Sequence, residues 1–142
     1  MGRKRTILVV DDEETDRQAT AEALRAEGYQ VVEAECYKDA LAAFDCNPGI
    51  SFVVADIALP DGNGCALALA IHSRRPDLRV LFVSGHVGSE VCRYYGLDVG
   101  NQHFLRKPFV PQELVARVKQ VLKSADRFPS LYLPQSSTSA AS

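Results

Sequence analysis

The sequence has no tryptophan and a single methionine, and its four cysteines form no CxxC pair. Cys36, Cys46, Cys65 and Cys92 are too widely separated to suggest a zinc site. No secretory signal is recognisable, so a secreted disulfide scaffold is not expected either. We therefore expect the four cysteines to be buried, reduced thiols in a cytoplasmic protein.

Long apolar runs and an excess of positive charge are also missing. No apolar stretch approaches the roughly 20 residues that span a bilayer, so we expect no membrane partner. The formal net charge of -2 and the sequence pI of about 5.9 provide no basic surface for nucleic-acid phosphates. The composition therefore favours a protein or a small ion as the partner, and no nucleic acid.

What the chain does have is the composition of an ordinary globular domain, with 142 residues, 46% hydrophobic and 24% charged. We expect one domain over residues 1–126. From residue 127 onward the composition shifts to proline, serine and alanine, which predicts a flexible C-terminal tail over residues 127–142. This tail is too short to be an effector domain.

Five short apolar runs alternate with helix-like stretches. The runs are Thr6 to Val10, Gln30 to Ala34, Phe52 to Ala55, Arg79 to Val83 and His103 to Leu105. This alternation predicts a doubly wound α/β fold, in which helices cover both faces of a five-stranded parallel sheet. The first and third runs are continuously apolar and suit central strands, whereas the second is more polar and suits an edge. The predicted strand order is therefore 2-1-3-4-5.

Helix boundaries can also be predicted from the sequence. The helices are expected over about Glu14 to Glu27, Lys38 to Cys46, the residues after Gly64 to Ser73, Ser89 to Tyr95, and Pro111 to Ala125. Gly28 is expected to end the first helix in a left-handed conformation.

Polar side chains follow the carboxyl ends of four predicted strands. Asp11 and Asp12 follow the first strand, Asp56 the third, Ser84 the fourth and Lys107 the fifth. Ligands of open parallel sheets bind at this edge, so we expect these side chains to converge. Two carboxylates about 4 Å apart repel by roughly 4 kcal/mol at an effective dielectric constant of about 20, so a cluster of three needs a cation. An all-oxygen site suits Mg²⁺, and a carboxylate beside Mg²⁺ and a lysine can accept a phosphoryl group.

Four segments of the sequence resemble the receiver domains of two-component response regulators, which have a flavodoxin-like fold. The segments are Ile7-Leu8-Val9-Val10-Asp11-Asp12, Val53-Val54-Ala55-Asp56-Ile57-Ala58-Leu59-Pro60-Asp61-Gly62, Phe82-Val83-Ser84-Gly85 and Phe104-Leu105-Arg106-Lys107-Pro108-Phe109. The resemblance covers roughly residues 6 to 125, and its signature positions occur in the expected order and spacing.

This resemblance implies that Asp56 accepts a phosphoryl group from a sensor histidine kinase or a histidine phosphotransfer protein. It also implies that Mg²⁺ is bound by Asp12 and Asp56, by the backbone carbonyl of Ala58, and by Asp11 largely through water. Lys107 would pair with a phosphoryl oxygen.

The same resemblance assigns switch roles to two further residues. Ser84 would close onto the phosphoryl group, and its movement would let the ring of Phe104 turn inward. Phe104 replaces the more frequent tyrosine, so its ring has no hydroxyl group to hydrogen bond. Ala58 and His86 are at positions that tune phosphoryl lifetime in the family.

The resulting expectation is a cytoplasmic, single-domain phosphorylation switch that signals by protein contact or phosphorelay. It is not expected to be an enzyme beyond self-catalysed phosphorylation and dephosphorylation. A pseudo-receiver that only binds is one alternative, and a domain excised from a hybrid kinase is another. A dehalogenase-like phosphatase is suggested by Asp11-x-Glu13-x-Thr15, but this alternative leaves Asp56 without a role.

Overall fold

The fold is that of a computed structural model, which describes residues 5–85 and 88–131. The main sheet consists of β1 (Thr6–Val10), β2 (Gln30–Ala34), β3 (Ile50–Asp56), β4 (Arg79–Ser84) and β5 (Phe104–Arg106). The helices are α1 (Glu14–Ala26), α2 (Tyr37–Cys46), α3 (Gly64–Arg74), α4 (Gly88–Tyr94) and α5 (Pro111–Lys123). The predicted helices are therefore all present, and each end lies within two residues of the expected one.

The five strands are parallel, in the order β2-β1-β3-β4-β5. This order confirms the predicted doubly wound topology. Its physical basis is visible in β1, where Ile7 to Val10 are at most 1% exposed, as a central strand covered on both faces requires. The edge strand β2 is only partly buried over most of its length.

Alternate residues of the central strands point into two separate hydrophobic clusters. Leu8, Val10 and Val53 pack with α2, α3 and α4 on one face. Ile7 and Val9 pack with α1 and α5 on the other face. This alternation is the two-residue period of a strand, and it fixes the register that brings the strand ends together at one edge.

Two chain reversals can be compared with the local predictions, and one of them agrees. Gly28 has a φ of +98°, the left-handed conformation predicted for the residue that follows α1. The fifth predicted strand begins one residue later than expected, because His103 belongs to a short 3₁₀ turn, Asn101–His103. The buried His103 ring lies with Nδ1 3.0 Å from the carbonyl oxygen of Val80, which anchors this turn to the sheet.

The expectation of four buried, reduced thiols is wrong. Cys65 of α3 and Cys92 of α4 are buried and joined by a disulfide. Cys36 is partly exposed and Cys46 is exposed. Cys65 and Cys92 are 27 residues apart in sequence, but their helices lie side by side and bring the Cα atoms to 5.3 Å, within the range that a disulfide requires.

The first residues of the predicted tail pack against the domain. The amide of Val80 donates to the carbonyl oxygen of Arg127, and the ring of Phe128 stacks on His72 with centroids 3.9 Å apart. Ser130–Leu131 then pairs antiparallel with Leu97–Asp98. The expectation of a flexible tail from residue 127 therefore does not hold for residues 127–131, and residues 132–142 lie outside the described part.

Candidate functional site

The carboxyl edge of the sheet brings together the side chains predicted to form the site. Asp11 directly follows β1, Asp56 and Ser84 are the last residues of β3 and β4, and Lys107 follows β5. Asp11, Asp56 and Ser84 are buried, with 4%, 7% and 6% exposure respectively. Residues far apart in sequence therefore meet because parallel strands end at the same edge.

Lys107 is the cation at the centre of this cluster. Its Nζ lies 2.9 Å from Oδ2 of Asp11 and 2.9 Å from Oδ2 of Asp56, and its side chain is only 17% exposed. A third carboxylate, that of Asp16 in α1, lies 3.3 Å from the same Nζ. One ammonium group is thus shared by three acidic side chains.

Backbone amides orient the two buried carboxylates. The amide of Glu13 donates to Oδ1 of Asp11 at 3.0 Å, and the amide of Ala58 donates to Oδ1 of Asp56 at 3.1 Å. Each carboxylate therefore has one oxygen held by the backbone and the other directed to Lys107. This arrangement places a fixed carboxylate oxygen of Asp56 at the site.

The environment shifts the pKa values of two members of the cluster. Burial raises the pKa of Asp11 to about 6, although Lys107 and the Glu13 amide act in the opposite direction. For Lys107, burial lowers the pKa, but the hydrogen bonds and charges of Asp11 and Asp56 outweigh it and raise the pKa above its ordinary value. Lys107 is therefore fully protonated at neutral pH.

A divalent cation fits the donor set of this site. Carboxylate oxygens of Asp11, Asp12 and Asp56 all lie within 4.8 Å of one another. Asp12 is exposed, which leaves one side of the cluster open to solvent. A small set of protein oxygens with open positions is the environment that Mg²⁺ prefers, because it retains several waters and can accept a phosphate oxygen.

The loop after β3 is built closely against Asp56. Ala58 pairs with Asn63 and Leu59 pairs with Gly62, which folds the loop into a tight hairpin. The amide of Gly64 then donates to the carbonyl oxygen of Ile57 at 2.8 Å. Ala58 is exposed at the site, where its carbonyl is predicted to bind the metal.

Of the residues predicted to act in switching and in phosphoryl lifetime, Ser84 lies at the site and Phe104 lies in the neighbouring strand. Ser84 is adjacent to the site, and its carbonyl oxygen accepts a hydrogen bond from the amide of Lys107 at 2.8 Å. Phe104 pairs with Phe82 across the β4–β5 ladder and packs, partly buried, against the cluster on the α2, α3 and α4 face. His86 lies outside the described residues, so its predicted role has no structural counterpart here.

Two residues of this region were not predicted from the sequence. Asp61 accepts hydrogen bonds from the amides of Tyr37 and Lys38, which ties the hairpin to the first turn of α2 and lowers the pKa of this carboxyl. Asp16 contacts Lys107 as described above.

A family model described as the response regulator receiver domain matches residues 7–119. Among the curated relatives, the phosphate regulon transcriptional regulatory protein PhoB of Escherichia coli is 36% identical over 121 residues, which is 84% of this chain and 52% of PhoB. The sensor kinase CckA of Brucella abortus is 33% identical over 85% of this chain and 13% of the kinase. The chain spans about half the length of the regulators that it matches.

Solved structures show the same likeness. A CheY-like response regulator receiver domain protein from Methanospirillum hungatei has a TM-score of 0.75 and 30% identity, over 84% of this chain and 94% of that one. None of the helices in the described residues combines the length and apolarity needed to cross a bilayer.

Proposed function

The chain belongs to the response regulator receiver domain family, and we propose that its Asp56 accepts a phosphoryl group in two-component signalling. The observation that carries this proposal is the contact between Asp56 and Lys107, with Nζ 2.9 Å from Oδ2, inside a cluster of three carboxylates. A buried carboxylate beside a fixed cation is equipped to receive an anionic group.

In the proposed reaction a carboxylate oxygen of Asp56 attacks the phosphorus atom of a phosphohistidine. The P–O bond of an acyl phosphate forms, the P–N bond breaks, and the imidazole leaves with the electron pair and takes up a proton. The Glu13 and Ala58 amides hold the carboxylates of Asp11 and Asp56, so little reorganisation is needed. Lys107 then interacts with the charge on the transferred group.

Mg²⁺ bound by Asp11, Asp12, Asp56 and the carbonyl of Ala58 would neutralise charge that develops on the phosphoryl oxygens. The fit of these residues to such an ion supports their assignment as ligands. Their mutual repulsion favours the binding of a cation in addition to Lys107.

Ser84 and Phe104 are the proposed switch residues. Ser84 ends β4 beside the site, and its carbonyl oxygen accepts a hydrogen bond from the amide of Lys107, the residue whose Nζ contacts Asp56. Phe104 lies one strand further along and packs partly buried against the α4 side of the domain. Ala58 and His86 are proposed to set the lifetime of the phosphoryl group.

The proposed partners are a sensor histidine kinase or a histidine phosphotransfer protein and a downstream protein, in a cytoplasmic, non-enzymatic switch. The matches to both regulators and a sensor kinase support this class of partner. On α4 the ring of Tyr94 is 85% exposed, which gives a protein partner an aromatic contact on this side of the domain.

The test is incubation with acetyl phosphate, with and without Mg²⁺, followed by intact mass measurement of the wild type and the Asp56→Asn variant. We expect a phosphate-sized mass increase that requires both Mg²⁺ and Asp56. Asp45→Asn is a suitable control, because Asp45 is an exposed acid of α2 paired with Arg74 away from the site. An adduct of equal yield in Asp56→Asn would contradict the assignment.

A further inference from the structure

Asp16 occupies an unusual place among the acids near the site. It lies in the first turn of α1, and its Oδ2 is 3.3 Å from Nζ of Lys107, slightly farther than the oxygens of Asp11 and Asp56. Its side chain is 50% exposed, whereas that of Asp56 is 10% exposed. Asp16 therefore contacts the site from its solvent-facing rim.

Asp16 contacts the lysine without belonging to the carboxylate cluster. The group of acids that could share a metal ion in the described residues consists of Asp11, Asp12 and Asp56. Because Asp16 is outside this group, its charge acts on Lys107 and on approaching anions. It does not supply a further metal ligand.

A cavity of about 180 Å³ lies beside this contact, between α1 and the segment that follows β5. Asp16 and Lys107 contribute its charged groups, and Ala19, Phe109 and Pro111 contribute apolar wall. The cavity gives the flexible lysine side chain room on the α1 side of the site. Lys107 thus has acidic partners on two sides: Asp11 and Asp56 at the sheet edge, and Asp16 in α1.

We propose that Asp16 is a positioning residue that draws the ammonium group of Lys107 towards α1 and competes for it with the phosphoryl oxygens. This inference rests on the function proposed for Asp56. A carboxylate 3.3 Å from the ammonium group offsets part of the positive charge that an incoming phosphoryl group meets. Asp16 therefore slows phosphorylation.

The experiment measures the rate constant of Asp56 phosphorylation by subsaturating acetyl phosphate in Mg²⁺, timed by intact mass. We expect Asp16→Asn to raise the rate constant roughly two- to fivefold, the range that corresponds to a partly exposed ion pair. Asp16→Glu, which restores the charge, should return the rate constant towards that of the wild type.

Glu14→Gln is the matched control. Glu14 is another acid of the first turn of α1, but its carboxylate accepts from Nε2 of Gln18 at 3.0 Å instead of contacting Lys107. Removal of this charge should leave the rate constant unchanged. An equal acceleration in Glu14→Gln would reduce Asp16 to one of several surface charges and overturn the proposal.

A double-mutant cycle with Lys107→Met tests whether Asp16 acts through the lysine. The effect of Asp16→Asn should disappear in the Lys107→Met background. If the Lys107→Met proteins react too slowly to time, the same cycle is measured on Mg²⁺ affinity by calorimetry. There Asp16→Asn should weaken binding about twofold only when Lys107 is present, because the released ammonium group then competes with Mg²⁺ for Asp11 and Asp56.

The outcomes separate this inference from the function on which it rests. Failure of the wild type to form an Asp56 adduct would overturn both. An adduct on the wild type with an unchanged rate constant in Asp16→Asn would overturn the role of Asp16 alone. An effect of Asp16→Asn that persists in the Lys107→Met background would also overturn it.

Discussion

Cys65 at the start of α3 and Cys92 in the middle of α4 are joined by a disulfide, with their Cα atoms 5.3 Å apart. Both side chains are fully buried. The bond connects α3, which begins directly after the hairpin that follows Asp56, to α4, which carries the exposed Tyr94. It therefore restrains α4 relative to the hairpin that follows Asp56.

The replacement of both residues in Cys65→Ala/Cys92→Ala should lower the free energy of unfolding by about 3 kcal/mol, because the disulfide closes a loop of 27 residues in the unfolded chain. Urea denaturation measures the change. Cys46→Ala is the control, since Cys46 is exposed and unpaired, and it should leave stability unaltered.

Alkylation of the unfolded, unreduced protein provides an independent check on the disulfide. Cys36 and Cys46 should be the residues that react, while Cys65 and Cys92 react only after reduction. Alkylation of all four cysteines before reduction would show that the bond is absent.

Gly64→Ala should disturb the site through the backbone of Asp56. A Cβ atom at position 64 would overlap the carbonyl oxygen of Asp56, so the hairpin or the end of β3 must shift. We expect a loss of about 1–3 kcal/mol in the free energy of unfolding and slower phosphorylation of Asp56. Urea denaturation and the acetyl phosphate assay measure the two effects.

Gly100→Ala is the control for this substitution. A Cβ atom at position 100 meets nothing within 4 Å, and the φ of -89° is accessible to alanine. Stability and phosphorylation should both remain near those of the wild type. Equal effects of the two substitutions would mean that the close approach between Gly64 and Asp56 is not limiting.

The convergence of the site could be predicted from the sequence because it depends on topology. Once the chain is recognised as an open parallel sheet, Asp11, Asp56, Ser84 and Lys107 must lie at one edge, whatever the details of packing. The strand order could also be predicted, because the continuously apolar sequence of β1 indicates a central strand and the more polar sequence of β2 indicates an edge strand.

Features that depend on how helices sit on the sheet could not be predicted. The Cys65–Cys92 pair requires the relative placement of α3 and α4, which sequence separation does not reveal. The stacking of Phe128 on His72 could not be predicted either, because the composition after residue 126 indicates only a flexible tail. Asp16 resembles any acid that complements the positive end of a helix.

The raised pKa of Asp11 predicts an unusual dependence of stability on pH. Between about pH 6 and the ordinary value of 3.8, the folded protein holds a proton on Asp11 that the unfolded chain has lost. The contribution of Asp11 to stability therefore increases as pH falls through 6. In metal-free buffer it should add about 1 kcal/mol to the free energy of unfolding between pH 7 and pH 5.

The measurement is a pair of urea titrations in EDTA at pH 7 and pH 5, made on the wild type and on Asp11→Asn. The difference between the two proteins in their pH dependence isolates Asp11 from other titrating groups. If the free energy of unfolding changes by the same amount between pH 7 and pH 5 in both proteins, burial does not raise the pKa of Asp11 in the folded state.

Lys107 should stabilise the metal-free protein, because it is the cation that contacts Asp11 and Asp56. Lys107→Met removes the charged hydrogen-bond donor of these carboxylates, so the free energy of unfolding in EDTA should fall by about 2 kcal/mol. Mg²⁺ at the proposed site would contact the same carboxylates and should restore much of this loss. It should stabilise the wild type less, because there Lys107 competes with the ion for Asp11 and Asp56.

Lys119→Met is the control for this last comparison. Lys119 pairs with Glu27 on the surface, and both side chains are well exposed, so its removal should have no measurable effect with or without Mg²⁺. The measurement is urea denaturation of the three proteins in EDTA and in Mg²⁺. It separates the stabilisation of the metal-free protein by Lys107 from its competition with Mg²⁺. Stabilisation by Mg²⁺ that is equal in the wild type and in Lys107→Met would mean that the lysine and the ion do not compete for Asp11 and Asp56.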